Sequence, residues 1–211
     1  MTNSSTLIGL VVDRSGSMVT CQQEMENGIK SFLEKQKVNP ETKATLAQFD
    51  TEYELVYPPL SVADVPTYHL MPRYGTALND AVARFVRDVG ADLAAKPEHE
   101  RPGKVIVVIV TDGHENSSRE FPGEPGRQKV ADMITHQKSH YGWEFVFLGA
   151  NMDAVQVAAG FGIARGQSMT FNTRNSGVVM DSLSSNVVAY AAAAPGAAYS
   201  WSEEDREKAT K

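Results

Sequence analysis

The sequence has few of the residues that adapt a chain to an oxidising or membrane environment. Cys21 is the single cysteine among 211 residues, so an intrachain disulfide is excluded and a reducing compartment is favoured. The apolar run Leu7–Val12 is too short for a signal-peptide core, and no run approaches the roughly 20 apolar residues of a transmembrane helix. Residues 1–6 are largely polar and contain no Lys or Arg. We therefore expect a cytoplasmic protein that does not contact a membrane.

Positive charge is also scarce. Lys and Arg number 20 against 26 Asp and Glu, which gives a formal net charge of -6 at pH 7. Because nucleic-acid binding relies on clustered Lys and Arg at the phosphates, the composition argues against nucleic acid as the main partner. Hydrophobic residues make up 42% and charged residues 22% of the chain, a balance typical of a globular protein with one sizeable core.

Short apolar runs alternate with amphipathic segments along the chain. Val105–Val110 consists of six consecutive β-branched apolar residues, which indicates a central strand buried on both faces of a parallel sheet. Thr42–Phe49 and Tyr53–Tyr57 flank a polar turn and predict an antiparallel hairpin at the sheet edge. Other strands are predicted over 7–12, 143–149 and 168–171, and helices over 19–36, 127–140, 153–160 and 175–193, with one more helix opening at Gly75-Thr76.

This alternation predicts an α/β fold. We expect a doubly wound, mostly parallel Rossmann-like sheet with one antiparallel edge strand and helices on both faces. The expected boundaries are a single domain over residues 1–195 and a charged, flexible tail over 196–211. Pro195-Gly196 is expected to stop the last helix, and seven of the final ten residues are charged, which is typical of a solvated segment.

Oxygen-bearing side chains follow the first predicted strand. Asp13, Ser15 and Ser17 alternate after the apolar run, so one carboxylate and two hydroxyls lie in the turn that leads into a helix. Hard divalent cations prefer such oxygen ligands. Asp112 follows the central strand, and Thr76 opens a later helix. Because ligands in doubly wound folds bind beyond the carboxyl ends of the strands, where strand order reverses, we expect these five residues to converge on one site.

Three motifs together resemble the von Willebrand factor A (vWA) domain. Asp13-x-Ser15-x-Ser17, Gly75-Thr76 and Thr111-Asp112-Gly113 occur in the order that the family has, each where an element is predicted to begin or end. In that family these residues form a metal-ion-dependent adhesion site, the MIDAS. The resemblance therefore implies a vWA fold over the predicted domain, with an intact MIDAS.

The resemblance also implies a role for each site residue. Ser15 and Ser17 would ligate Mg²⁺ through their hydroxyls. Thr76 would do so directly or through water, and Asp13 and Asp112 would act directly or through waters. The sixth position would be open to an acidic side chain of a partner protein, and the same oxygens suit Mn²⁺ or Ca²⁺.

The implied function is metal-dependent protein–protein interaction without enzymatic activity. The expected partner is a protein that presents Asp or Glu to the metal, and family analogy suggests an AAA+ ATPase or a larger assembly. Neither nucleic acid nor a membrane is an expected partner.

Three residues next to the motifs are expected at the rim of the site. Tyr74 stands where the family often has a second glycine. His114 is expected to contact the partner at the rim, and Glu115 either adds a carboxylate near the metal or faces solvent. The runs Thr111–Ser117 and Gly142–Asn151 look like a bacterial or phage branch of the family.

Other interpretations stay open from the sequence alone. Asp13 and the serines that follow it are also typical of a helix N-cap. A metal-dependent, phosphatase-like hydrolase is a second hypothesis, with His114 as the base, although the second aspartate of an Asp-x-Asp motif is missing. A scaffold without functional metal binding is a third. His136 and His140, four residues apart, favour a solvated helix face, and Cys21 favours buried packing over a reactive thiol.

Overall fold

One six-stranded sheet, covered by helices, organises the fold. The computed structural model describes residues 4–194 and 196–210. The strands are β1 (Thr6–Asp13), β2 (Thr42–Phe49), β3 (Tyr53–Ser61), β4 (Lys104–Thr111), β5 (Glu144–Ala150) and β6 (Ser168–Phe171). The α-helices are α1 (Gln22–Gln36), α2 (Leu78–Ala94), α3 (Gly123–Tyr141), α4 (Ala154–Gly160), α5 (Ser176–Ala192) and α6 (Glu203–Thr210). A 3₁₀ helix over Gly16–Cys21 joins β1 to α1.

The sheet has the strand order β3-β2-β1-β4-β5-β6. β1 pairs in parallel with β2 and β4, and β5 pairs in parallel with β4 and β6. β3 is antiparallel to β2. The chain begins in the middle at β1, adds β2 on one side and later β4 on the other, so strand order reverses between β1 and β4. The predicted doubly wound, mostly parallel sheet is confirmed, and its crevice opens beyond Asp13 and Thr111.

Alternate residues of β1 face two separate hydrophobic cores. Ile8, Leu10 and Val12 are fully buried on one face, in a cluster that includes side chains of α1, α5 and α6. Leu7 and Val11 are buried on the other face, in a cluster that includes side chains of α2, α3 and α4. The period of two that separates these sets is that of a strand, and it confirms the prediction of helices on both faces.

Several predicted boundaries differ from the structure. The helix expected from residue 19 starts as the 3₁₀ helix, and α1 itself begins at Gln22. The helix expected to open at Gly75-Thr76 begins at Leu78, because the carbonyl oxygen of Thr76 accepts hydrogen bonds from the backbone N–H groups of residues 116 and 117. β3 extends through Pro58 and Pro59 to Ser61, which an edge strand tolerates. α3 begins four residues earlier than expected.

The C-terminal residues differ most from the expectation. The predicted solvated tail instead contains α6, because apolar residues around it are buried: Tyr199 is 2% exposed, Trp201 5% and Ala209 0%. Arg206 also donates a 3.0 Å hydrogen bond to the carbonyl oxygen of Ser168 in β6. The predicted role of Pro195 in stopping α5 lies outside the described residues. No helix within 4–194 and 196–210 is both long and apolar enough to cross a membrane.

Candidate metal centre

The oxygens predicted to form the site are joined by short hydrogen bonds beyond the ends of β1 and β4. The backbone N–H of Ser15 donates to Asp13 Oδ1 at 2.6 Å. Ser15 Oγ and Ser17 Oγ lie 3.2 Å apart, and Ser17 Oγ donates to Asp112 Oδ1 at 2.6 Å. The two carboxylates and two hydroxyls therefore form one continuous cluster, although 95 residues separate Ser17 from Asp112.

Thr76 joins this cluster around Gly113. A Cβ atom added at Gly113 would lie 2.8 Å from Thr76 Oγ1 and 3.6 Å from both Asp13 Oδ2 and Ser15 Oγ. Oxygens from two chain segments, the loop after β1 and the segment before α2, thus surround one point on a third segment, and a side chain there would displace them. Glycine is required at this position by space, since the Thr76 oxygen leaves no room for a methyl group.

Thr111, the last residue of β4, holds Asp13 in place. Its hydroxyl donates to Asp13 Oδ2 at 2.6 Å and accepts a hydrogen bond from the Gly113 N–H at 3.1 Å. Both Asp13 and Thr111 are fully buried. Sequence reasoning named Thr111 only as part of the Thr111-Asp112-Gly113 motif and gave it no role in the site, although its place beside Asp112 and the parallel register of β1 with β4 give the signal. Val12 pairs with Val110, so the next residues along both strands are neighbours.

The cluster is electrostatically uncompensated. Burial raises the pKa of Asp13 to about 6, against the lowering effect of its hydrogen bonds to Thr111 and Ser15. Burial also raises the pKa of Asp112, and its hydrogen bond from Ser17 acts in the opposite direction. Within residues 4–194 and 196–210, no salt bridge involves either carboxylate. A buried carboxylate is stabilised by a bound cation, so the donor chemistry fits a hard divalent ion.

Asp50 links two of the three segments that carry the cluster, and sequence reasoning treated it only as part of a turn. Its fully buried carboxylate accepts hydrogen bonds from Arg14 Nε at 2.9 Å and Arg73 Nε at 2.6 Å. Its backbone carbonyl accepts from the Ala77 N–H at 2.8 Å. One side chain at the start of the β2–β3 turn therefore positions both the loop after β1 and the segment that contains Thr76.

Tyr74 lies beside the loop that carries Ser15 and Ser17. Its ring is 65% exposed, and its backbone adopts a left-handed conformation with φ of +58°. Its carbonyl oxygen accepts a 3.0 Å hydrogen bond from the Gly16 N–H, next to Ser15. His114 is exposed and, in the described part of the chain, makes none of the hydrogen bonds that join the cluster.

Glu115 has a different role from either one expected. Its Oε1 atom accepts from the N–H groups of Ser117 and Ser118 at 3.0 and 2.7 Å, and its Oε2 atom accepts from the Asn79 N–H at 2.8 Å. Both carboxylate oxygens are thus used to close the loop after β4 and to cap the first turn of α2. Glu115 supports the site loop, and its oxygens neither join the cluster nor simply face solvent.

The remaining candidate residues, Cys21, His136 and His140, are not members of the metal cluster. Cys21 is fully buried, and burial raises the pKa of its thiol to about 12, so a thiolate nucleophile is disfavoured at neutral pH. His136 and His140 are exposed on α3 with stacked rings 4.3 Å apart. Both observations agree with the expectations of buried packing and of a solvated helix face.

Comparison with solved structures identifies the fold. The vWF domain of the type V pili tip protein from Porphyromonas gingivalis matches 93% of this chain and 99% of its own, with a TM-score of 0.67 and 9% sequence identity. A von Willebrand factor type A protein from Catenulispora acidiphila matches 86% of this chain and 42% of its own, with a TM-score of 0.57 and 13% identity. The chain has the vWA fold. No protein-family model and no curated protein matches the sequence.

A third relative of the vWA fold comes from the mussel byssus. Proximal thread matrix protein 1 matches 88% of this chain with a TM-score of 0.63 and 14% identity. The present chain covers 48% of that protein, so it spans about half the mussel protein's length. Another structure of the mussel protein has a zinc-occupied MIDAS motif. At these sequence identities, the similarity to the solved structures supports a shared fold alone.

Proposed function

We propose that this chain is a metal-dependent protein-interaction module that binds a carboxylate of a partner protein. The observation that carries the proposal is the convergence of Asp13, Ser15 and Thr76 around Gly113. Ser17 and Asp112 are hydrogen-bonded into the same cluster. Such an all-oxygen donor set, with two carboxylates that form no ion pair within the described residues, fits a hard divalent cation.

The hydroxyl and carboxylate residues of the cluster would make different contributions to binding the ion. Ser15, Ser17 and Thr76 would contribute neutral hydroxyls, and Asp13 and Asp112 would offset the charge directly or through water. The bound ion supplies an open Lewis-acidic position that attracts an acidic side chain. We propose Mg²⁺ as the ion, and Mn²⁺ or Ca²⁺ suits the same oxygens. The zinc-occupied motif of the mussel protein supports divalent binding within this fold.

The proposed partner is a protein that presents Asp or Glu, and we favour an AAA+ ATPase or a larger assembly. Two of the structural relatives, the pilus tip protein and a pilus adhesin from Lactobacillus rhamnosus GG, have names that refer to pili or adhesion, which supports an interaction role over a catalytic one. A net charge of -6 disfavours nucleic acid. The single buried cysteine is consistent with a reducing, cytoplasmic location.

Metal binding is tested by thermal melts in EDTA, Mg²⁺, Mn²⁺ and Ca²⁺. An ion at about ten times its dissociation constant stabilises the fold by roughly 1.4 kcal/mol, which raises the melting temperature by roughly 3–6 °C for a chain of this size. Wild type should show this shift, and Ser17→Ala and Asp13→Asn should lose it. Asp64→Asn, at an exposed carboxylate, is the control that keeps it. Equal shifts in all four proteins would overturn the assignment.

Carboxylate recognition is tested with two peptide libraries that differ at one central position, fixed as Glu in one and as Gln in the other. Mg²⁺ should enrich binders from the Glu library alone, and EDTA should abolish that enrichment. Equal enrichment from both libraries, or enrichment that survives EDTA, would show that the site does not recognise a carboxylate through a metal.

A further inference from the structure

Three large apolar side chains are exposed beside the candidate metal centre. Val19 is 62% exposed, Met71 72% and Tyr74 65%. We name these three residues the rim patch. Single exposed apolar side chains are common on proteins, whereas several on one surface mark an interaction site. The rim patch would mark such a site if its three side chains belong to one surface.

Hydrogen bonds hold the two segments of the rim patch side by side. The Gly16 N–H donates to the carbonyl oxygen of Tyr74 at 3.0 Å. Six residues further along, the Gln22 side chain donates to the carbonyl oxygen of Leu70 at 2.7 Å. The chain from 70 to 74 thus runs along the 3₁₀ helix, and the other two members of the rim patch lie between these two anchors.

Tyr74 combines backbone strain with an exposed ring. Its φ of +58° is a conformation that Gly and Asn adopt far more readily than an aromatic residue does. Burial does not compensate for this conformation, since the ring is mostly exposed. The Arg73 guanidinium lies 5.0 Å from the ring centroid and is itself paired with Asp50 and Glu52. The ring is therefore held in a defined place on the surface, as expected of a ligand contact.

We infer that the rim patch selects the partner, with Tyr74 as its main contact. The partner segment would carry an aliphatic or aromatic side chain next to the acidic residue that approaches the metal. This follows from continuity, because Ser17 of the metal cluster and Val19 of the rim patch belong to the same 3₁₀ helix. The inference rests on the proposed function and adds to it the chemistry of the residues that flank the carboxylate.

Two fluorescent peptides with a central Glu test the inference, one with Leu and Phe beside the Glu and one with Ser at both positions. In Mg²⁺ the apolar-flanked peptide should bind wild type at least tenfold more tightly. Tyr74→Asn should reduce this preference to less than threefold. Tyr141→Asn, at a tyrosine that is 61% exposed at the end of α3, should leave the preference intact.

A stability measurement separates recognition from a structural role. Because Asn adopts the left-handed conformation readily, Tyr74→Asn should melt in EDTA at the wild-type temperature or higher. Tyr74→Phe should keep the tenfold preference, because the ring makes the contact. A clear fall in the melting temperature of Tyr74→Asn would assign the side chain to folding and overturn the inference.

The outcomes distinguish this inference from the proposed function. Equal Mg²⁺-dependent binding of both peptides would overturn the inference and leave the proposed function standing. Binding of neither peptide, in a protein that Mg²⁺ stabilises, would overturn both. Light scattering supplies one more test. An Mg²⁺-dependent dimer that Tyr74→Asn dissociates would show that a second copy covers the rim patch, and would overturn the assignment to a different partner.

Discussion

The hydroxyl of Thr111 donates a 2.6 Å hydrogen bond to Asp13 Oδ2 across two neighbouring parallel strands. Both side chains are fully buried, so the bond joins the two halves of the sheet at the point where strand order reverses. The contact ties the geometry of the metal cluster to the pairing of β1 with β4.

Removal of the Thr111 hydroxyl should lower both the stability of the fold and the Mg²⁺-induced shift in melting temperature. Thr111→Val keeps the shape of the side chain but leaves Asp13 with one fewer donor, so we expect a loss of about 1–3 kcal/mol in the free energy of unfolding. Urea denaturation measures the loss. Thr45→Val is the matched control, since the buried Thr45 hydroxyl donates to the Tyr57 carbonyl at 2.9 Å, away from the cluster. The control should lose similar stability and keep its full Mg²⁺-induced shift.

The metal-free protein should lose stability as pH rises through the titration of Asp13. Burial raises the pKa of this group to about 6 in the fold, from 3.8 without it, so the fold binds the proton more tightly than the unfolded chain does. The stabilising effect is complete below about pH 4 and is lost as pH rises through 6, by about 3 kcal/mol. Asp13→Asn should flatten this dependence in EDTA. An identical pH profile for wild type and Asp13→Asn would contradict the prediction.

The same titration should set the pH dependence of metal binding. A cation and a proton compete for the Asp13 carboxylate, so the Mg²⁺-induced shift in melting temperature should be larger at pH 7.5 than at pH 5. Titrations of wild type at both pH values measure the effect. A shift that is the same at both would indicate that Asp13 takes no part in binding.

Loss of the Asp50 carboxylate should loosen two site loops. Asp50→Asn leaves the buried Arg14 with its ion pair to Glu54 but without the one to Asp50, and we expect a loss of about 1–3 kcal/mol in the free energy of unfolding. Arg73→Ala should cost much less stability than Asp50→Asn, since that arginine side chain is 39% exposed and its ion pairs are screened by solvent. Both variants should weaken Mg²⁺ binding, measured by calorimetry, because both loops lose an anchor. Undiminished Mg²⁺ affinity in Asp50→Asn would contradict this account.

A methyl group at Gly113 should disturb the cluster directly. In Gly113→Ala the new atom would lie 2.8 Å from Thr76 Oγ1, so we expect Mg²⁺ affinity to fall at least tenfold, about 1.4 kcal/mol. Gly177→Ala in α5 is the control, because a Cβ there meets no atom within 4 Å. The control should bind Mg²⁺ normally and gain stability from the helix propensity of Ala. Normal Mg²⁺ affinity in Gly113→Ala would argue against a cation at this point.

The cluster can be predicted from the sequence because its aspartates directly follow recognisable strand patterns. Val105–Val110 indicates a buried parallel strand by composition alone, and Asp13 and Asp112 follow apolar runs whose carboxyl ends must meet. The linking role of Asp50 and the contact of Glu115 with α2 were not predicted, because Arg14, Arg73 and Asn79 lie 23 to 36 residues away from them in the sequence. α6 was not predicted, because charged residues dominate its sequence and only a few apolar ones, such as Ala209, pack against the core. These features depend on contacts between segments that are distant in the sequence, so no local pattern reveals them.

Both edges of the sheet carry features that oppose extension by another chain. β3 carries Pro58 and Pro59, which have no N–H to donate to an added strand. β6 has only four residues, and Arg206 of α6 already occupies the carbonyl oxygen of Ser168. In the described part of the chain, these features disfavour recognition by β-augmentation at either edge. The same features oppose edge-to-edge polymerisation, so side chains and loops are the surfaces better suited to select what the protein binds.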